Sequence, residues 1–142
     1  MAGSEKQPAR VRALAEIALR VRDLDVMQQF YSDVIGLPLM KRFPNAAFFR
    51  IADGFEGHTQ VLALFDRSGR ADDHAPAAAQ TSVDHLAFAI SKSDYNAELD
   101  RLRSLGLTVT TAEHAWVRWR SMYVNDPEGN TVELVCYDET VE

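Results

Sequence analysis

The sequence predicts an α+β fold in which two βαβββ modules form a curved mixed sheet around a central cleft. Three observations carry this. A segment recurs about seventy residues on: Glu16-Ile-Ala-Leu-Arg-Val21 aligns with His85-Leu-Ala-Phe-Ala-Ile90 at an offset of 69, Ile35-Gly-Leu-Pro-Leu39 with Leu105-Gly-Leu-Thr-Val109 at 70, and Gly57-His58-Thr59 with Gly129-Asn130-Thr131 at 72. Within each copy the apolar period switches from that of a strand to that of a helix and back. Between the copies, Asp66 to Ser82 is rich in Ala, Asp, Ser and Gly and has no period. Two copies are too few for a solenoid, so they pair, and the space between paired halves is a natural ligand cleft.

The elements follow in order. Residues 1–12 are polar with a proline and read as an N-terminal arm. The first module spans 13–65. Ile17, Leu19 and Val21 alternate with Glu16, Ala18 and Arg20, as in a half-buried strand. Asp23 can cap a helix marked by Val26, Phe30 and Val34 and stopped at Gly36. Phe48 to Ile51 and Gln60 to Phe65 read as strands joined by a turn at Asp53-Gly54 and Glu56-Gly57. After the 66–82 linker the second module spans 83–138. It has a strand at His85 to Ile90 and a helix face of Tyr95, Leu99 and Leu102 ending at Gly106. Strands follow at Leu107 to Thr111, Arg120 to Val124 and Val132 to Tyr137, with a turn at Asp126-Pro127-Glu128-Gly129-Asn130. Residues 139–142 form a short tail.

Bulk properties narrow the function. The chain has 142 residues, 46% of them apolar, and a net charge of 15 minus 21, or −6. With no basic run or stripe, nucleic acid is excluded as an expected partner. No stretch is long enough to span a membrane and none resembles a signal peptide. A single cysteine, Cys136, allows no internal disulfide, which makes the cytoplasm the expected location.

Side chains two apart on a strand share a face. Ile17, Leu19, Val21, Leu86, Phe88 and Ile90 are the expected core set. The opposite set is Glu16, Ala18 and Arg20 in the first module and His85, Ala87 and Ala89 in the second, a polar leader followed by small residues, which leaves room for a ligand. Glu133 shares a face with Val135 and Tyr137 on the last strand, and Cys136 turns away toward the core. Glu16, His85 and Glu133 are therefore expected to converge in the cleft. One nitrogen and two carboxylates suit a divalent ion such as Mn, Fe(II), Ni or Zn, with positions left for water or substrate. Glu16 has two other readings: a salt bridge to Arg20, or a general base beside the metal. Trp116, Trp119, Arg118 and Arg120 form an aromatic and basic strip that suits a cleft wall, a hairpin surface or a subunit contact.

These phrases, with Phe30-Tyr31-Ser-Asp-Val-Ile-Gly-Leu37 and Tyr123-Val-Asn-Asp-Pro-Glu-Gly-Asn-Thr-Val-Glu133, resemble the vicinal oxygen chelate superfamily over residues 14–138. That superfamily includes glyoxalase I, extradiol dioxygenases, fosfomycin-resistance enzymes and bleomycin-resistance proteins. A narrower stretch, from His114 through Met122-Tyr123, Asp126-Pro127 and Gly129 to Glu133, is similar to the extradiol dioxygenase signature, with Ala112 departing from it. The resemblance implies that His85 and Glu133 are metal ligands, His114 an acid/base group and Tyr123 a hydrogen-bond donor to a substrate oxygen. It implies a small substrate with adjacent oxygens, acted on by a glyoxalase-type lyase or isomerase or by a ring-cleaving dioxygenase, and a homodimer. The family's first ligand is usually His where this chain has Glu16, and the inward positions Val61 and Ala63 carry no ligand. A metal-free protein that binds or sequesters a small molecule, in the bleomycin-resistance style, is the alternative expectation.

Overall fold

A computed structural model describes residues 9–68 and 80–142. Most of the expected linker, with His74, and the first eight residues of the expected arm lie outside the described residues.

The first module runs β1 (Glu16–Arg20), α1 (Leu24–Gln29), a π-helical segment (Phe30–Ile35), β2 (Leu39–Phe43), β3 (Ala46–Asp53) and β4 (Thr59–Phe65). The second runs β5 (His85–Ala89), a 3-10 turn (Lys92–Asp94), α2 (Tyr95–Ser104), β6 (Thr110–His114), β7 (Trp119–Asn125) and β8 (Thr131–Tyr137). Each module is a four-stranded mixed sheet, ordered β1-β4-β3-β2 and β5-β8-β7-β6, in which the first and last strands pair in parallel. Parallel neighbours need a crossover, and the helix of each module supplies it. The two sheets do not close into a barrel. No helix among the described residues is long and apolar enough to cross a membrane.

Local chemistry sets the boundaries. Asp23 caps α1, its side chain accepting from the Val26 amide at 3.1 Å. The helix then widens: the Tyr31 carbonyl accepts from both Gly36 N (3.1 Å) and Leu37 N (2.9 Å), and Gly36 ends it at φ 89°, a conformation open to glycine at little cost. The third strand of the expected βαβββ module is present, and one strand boundary shifts. β2 is a full strand, paired with β3 across a bulge between Leu39 and Lys41. The strand expected at Leu107 to Thr111 begins three residues later, because Leu107 and Val109 pack against the core and ladder pairing starts at Thr110↔Tyr123. His114, at the end of β6, consequently lies opposite Trp119.

One apolar core joins both modules. Leu19, Val21 and Leu86 are buried in it, and Ile17, Phe88 and Ile90 pack against it. Polar contacts sew the same seam. Tyr31 Oη donates to Asp126 at 2.8 Å, Glu128 accepts from the Arg22 and Asp23 amides at 2.8–2.9 Å, and Arg101 donates to the Val34 carbonyl at 2.6 Å. The modules thus meet through their helices and turns. The other face of each sheet stays open, with Ala18, Arg20, His85, Ala87 and Ala89 all exposed.

Candidate functional site

The open face of the second sheet carries a continuous polar chain. Glu133, in β8, sits opposite Ala87 on β5 and Tyr123 on β7. Because Ala87 has no bulk, His85 leans across, and its Nε2 comes within 3.3 Å of Glu133 Oε1. The other carboxylate oxygen is held from behind: Ser121 Oγ donates to Oε2 at 2.5 Å and Tyr123 Oη at 3.3 Å. Tyr123 Oη is also 3.0 Å from His114 Nε2, and His85 Nδ1 is 2.7 Å from Asp84. The order is Asp84, His85, Glu133, Tyr123, His114, with Ser121 bracing the centre.

Burial sets the character of each group. Glu133 is 4% exposed, so its charge needs partners; the Ser121 and Tyr123 hydroxyls donate to it, and His85 Nε2 is the third polar atom beside it. Burial raises the Tyr123 phenol above its ordinary range, the Glu133 charge and hydrogen bond push the same way, and only the Ser121 hydroxyl opposes them. Tyr123 therefore stays a protonated donor. An ionised Asp84 can only accept, so the Nδ1 position of His85 carries the proton. In a neutral imidazole Nε2 then turns its lone pair to Glu133 Oε1, and two acceptors 3.3 Å apart repel unless a proton or a cation lies between them.

That arrangement tests the metal expectation directly. His85 Nε2 and Glu133 Oε1 are a nitrogen and an oxygen aimed at one point, as two ligands of a divalent ion would be. The expected third, Glu16, does not join them within the chain. It stands in β1 of the other sheet, opposite Val61, and among the described residues no three His, Cys, Asp or Glu side chains are grouped to hold a metal. The reason is architectural: the modules pack by their helical sides, so their open faces do not meet. At the position that matches Glu133 the first sheet offers no donor. Glu133 lies two residues beyond Thr131, the partner of His85, and the same step from Val61 reaches Ala63.

The remaining sequence candidates are dispersed. Trp116 lies in the β6–β7 turn, 86% exposed, 6.4 Å ring to ring from Trp119. Trp119 is on the open face, whereas Arg120 turns the other way to pair with Asp138 at 3.0 Å and lie over the Tyr95 ring. Cys136 is buried in the core. Sequence reasoning missed Ser121 and Asp84. Alternation from Tyr123 would have put Ser121 on the same face, whereas Asp84 offered only its place beside His85.

Comparison with known proteins matches the chain to a family. The family model described as the Glyoxalase/Bleomycin resistance protein/Dioxygenase superfamily matches residues 13–134. Glutathione transferase FosA from Serratia marcescens is 25% identical over 124 residues, which is 87% of this chain and 80% of that protein. Catechol-2,3-dioxygenase from Bacillus subtilis is 28% identical over 82% of this chain, which spans only 38% of that longer protein. Among solved structures, lactoylglutathione lyase from Agrobacterium tumefaciens superposes with a TM-score of 0.64 at 28% identity, covering 91% of this chain and 95% of its own. A glyoxalase/dioxygenase from Nostoc punctiforme reaches 0.70 at 23% identity, covering 98% and 100%, and speaks for the fold alone.

Proposed function

The chain belongs to the glyoxalase/bleomycin resistance protein/dioxygenase superfamily, and on that premise we propose that it is a metal-dependent enzyme for a small substrate with two neighbouring oxygens. The observation that supports the reading most is the pair His85 Nε2 and Glu133 Oε1, aimed at one point 3.3 Å apart with every outer atom engaged. His85 and Glu133 would hold the ion, with Glu16 of a second copy as the third ligand or as a base. The ion, when bound, supplies Lewis-acid polarisation of substrate oxygens. Tyr123, kept protonated, donates a hydrogen bond to a substrate oxygen, and His114 behind it takes or returns a proton through the phenol. The reaction class is a glyoxalase-type lyase or isomerase, or an extradiol-type dioxygenase. Two relatives are named for those classes, a lactoylglutathione lyase and a catechol dioxygenase, and a third for a different one, glutathione transfer. We place the protein in the cytoplasm, in keeping with its single cysteine.

The test is elemental analysis of purified protein, followed by thermal melts with Mn, Fe(II), Ni and Zn. Bound metal in the wild type, or a rise in melting temperature that His85→Ala and Glu133→Ala abolish, is the expected result. Ala63 and Val61, which leave the first sheet without a metal donor, favour a second reading as a metal-free binding protein. Absence of metal and of any thermal shift, with small-molecule affinity untouched by His85→Ala, would select it.

A further inference from the structure

We propose that Asp84 and Ser121 are positioning residues that decide which atoms of the central pair face the ligand. Asp84 holds the proton of His85 on Nδ1 and so turns the Nε2 lone pair inward, and Ser121 occupies Oε2 of Glu133 and so leaves Oε1 as the atom presented to the same point. The inference rests on the metal reading above and extends it outward from the ligands.

Geometry carries both halves. Asp84 Oδ2 lies 2.7 Å from Nδ1, a charge-assisted distance, and a carboxylate offers no donor of its own. An imidazole can present only one lone pair, so fixing Nδ1–H selects Nε2. Ser121 is fully buried on β7, its backbone carbonyl is held by Tyr95 Oη from α2 at 2.8 Å, and its hydroxyl reaches Glu133 Oε2 at 2.5 Å. The helix beneath the sheet thereby steadies the residue that orients the carboxylate above it. Tyr123, at 3.3 Å, is the weaker tether to the same oxygen, which frees it for substrate. Outer hydrogen bonds of this kind fix the ligand rotamer and tautomer, and their loss typically lowers metal affinity about 10- to 100-fold.

The test has two readouts on the full-length protein. Manganese affinity is measured by titration calorimetry for wild type, Asp84→Ala, Ser121→Ala and Ser121→Thr. The His85 tautomer is read from long-range proton–nitrogen spectra of the metal-free protein. We expect Asp84→Ala and Ser121→Ala each to weaken manganese about 10- to 100-fold, Ser121→Thr to retain most of the affinity, and the Nδ1–H form of His85 to be lost in Asp84→Ala. If Ser121→Ala does not fold, Ser121→Cys, close in size but a weak donor, replaces it. Unchanged affinity in the folded variants, or a wild-type ring protonated at Nε2 alone, overturns the inference while leaving the metal reading intact. If the wild type binds no manganese, the same titration is run with Fe(II), Ni and Zn; if it binds none of them the metal reading fails, and the inference is decided by the ring spectrum: a tautomer lost in Asp84→Ala supports it, and an unmoved one ends it.

Discussion

The surroundings of Tyr123 hold its phenol proton to higher pH than an exposed tyrosine would keep it, and the same physics acts on two more of the four tyrosines. Burial raises Tyr31 most, with the Asp126 charge and hydrogen bond adding to it, and burial likewise raises Tyr95 and Tyr123. A tyrosine whose folded value is raised favours the fold fully below its unfolded value, near 10, and that contribution drains away as pH climbs through the interval up to the folded value. Phenolate absorbance at 295 nm should thus lag in the native protein relative to the urea-unfolded chain, and stability should decline above about pH 10. Coincident native and unfolded titration curves would contradict this. Asp138 carries the opposite sign. Hydrogen bonds from Thr140, then Lys92, hold its carboxyl below the usual range, so its contribution is present above about pH 4 and is lost as pH falls toward the folded value. Asp138→Asn should therefore flatten the acid limb of the stability profile, as followed by circular dichroism between about pH 4 and 2. His85 and Glu133 could be singled out in the sequence because each is a polar residue among small or apolar ones at a fixed alternation, whereas Tyr123 and His114 came into view only through the resemblance of their stretch to the extradiol dioxygenase signature. Ser121 was hidden because its contact with Glu133 exists only once β7 and β8 are in register, and Asp84 because nothing but its place beside His85 marked it.

Glu128 shows what a short turn does for the elements around it. Asp126 accepts from the Glu128 and Asn130 amides, which folds the turn so that the Glu128 carboxylate meets the backbone amides of Arg22 and Asp23 just ahead of α1. Tyr31, in the widened stretch after α1, donates to Asp126 from the opposite direction. One turn of the second module therefore grips the first module's helical segment at its start and again near its middle. Glu128→Ala removes a charge-assisted acceptor from backbone donors and should cost ~1–3 kcal/mol in urea unfolding with an unchanged slope, while Glu128→Gln should cost less. A loss within experimental error for Glu128→Ala would show that water replaces the carboxylate. The turn itself was readable from Asp126-Pro127-Glu128-Gly129-Asn130, but its partner was not, since a contact 106 residues away leaves no local trace. The late start of β6 had a similar cause: Leu107 and Val109 look like strand residues, yet they spend their apolar surface on the core before the ladder begins.

At the scale of the whole molecule, each chain ends its sheets with β1 and β5 at an edge, and those two strands carry the leading residues Glu16 and His85. An edge strand with small outward neighbours, here Ala18, Ala87 and Ala89, is a surface that proteins cover. Within the chain the helices already hold the modules together, so the open faces are free to meet those of another copy, and an isologous pair would build two equal clefts. Each cleft would take Glu16 from one copy and His85 with Glu133 from the other. Sedimentation at micromolar concentration should give twice the 15.9 kDa chain mass. The sharper test mixes Glu16→Ala with Glu133→Ala, each defective in metal binding alone, after unfolding and refolding them together. In a mixed dimer one cleft inherits both lesions and the other inherits neither, so random pairing should restore about a quarter of the wild-type metal sites. If the two residues served the same site within one chain, mixing would restore none. A monomer in sedimentation, or a mixture no better than its parts, would return Glu16 to a structural role on β1 and leave the His85–Glu133 pair as the whole of the site.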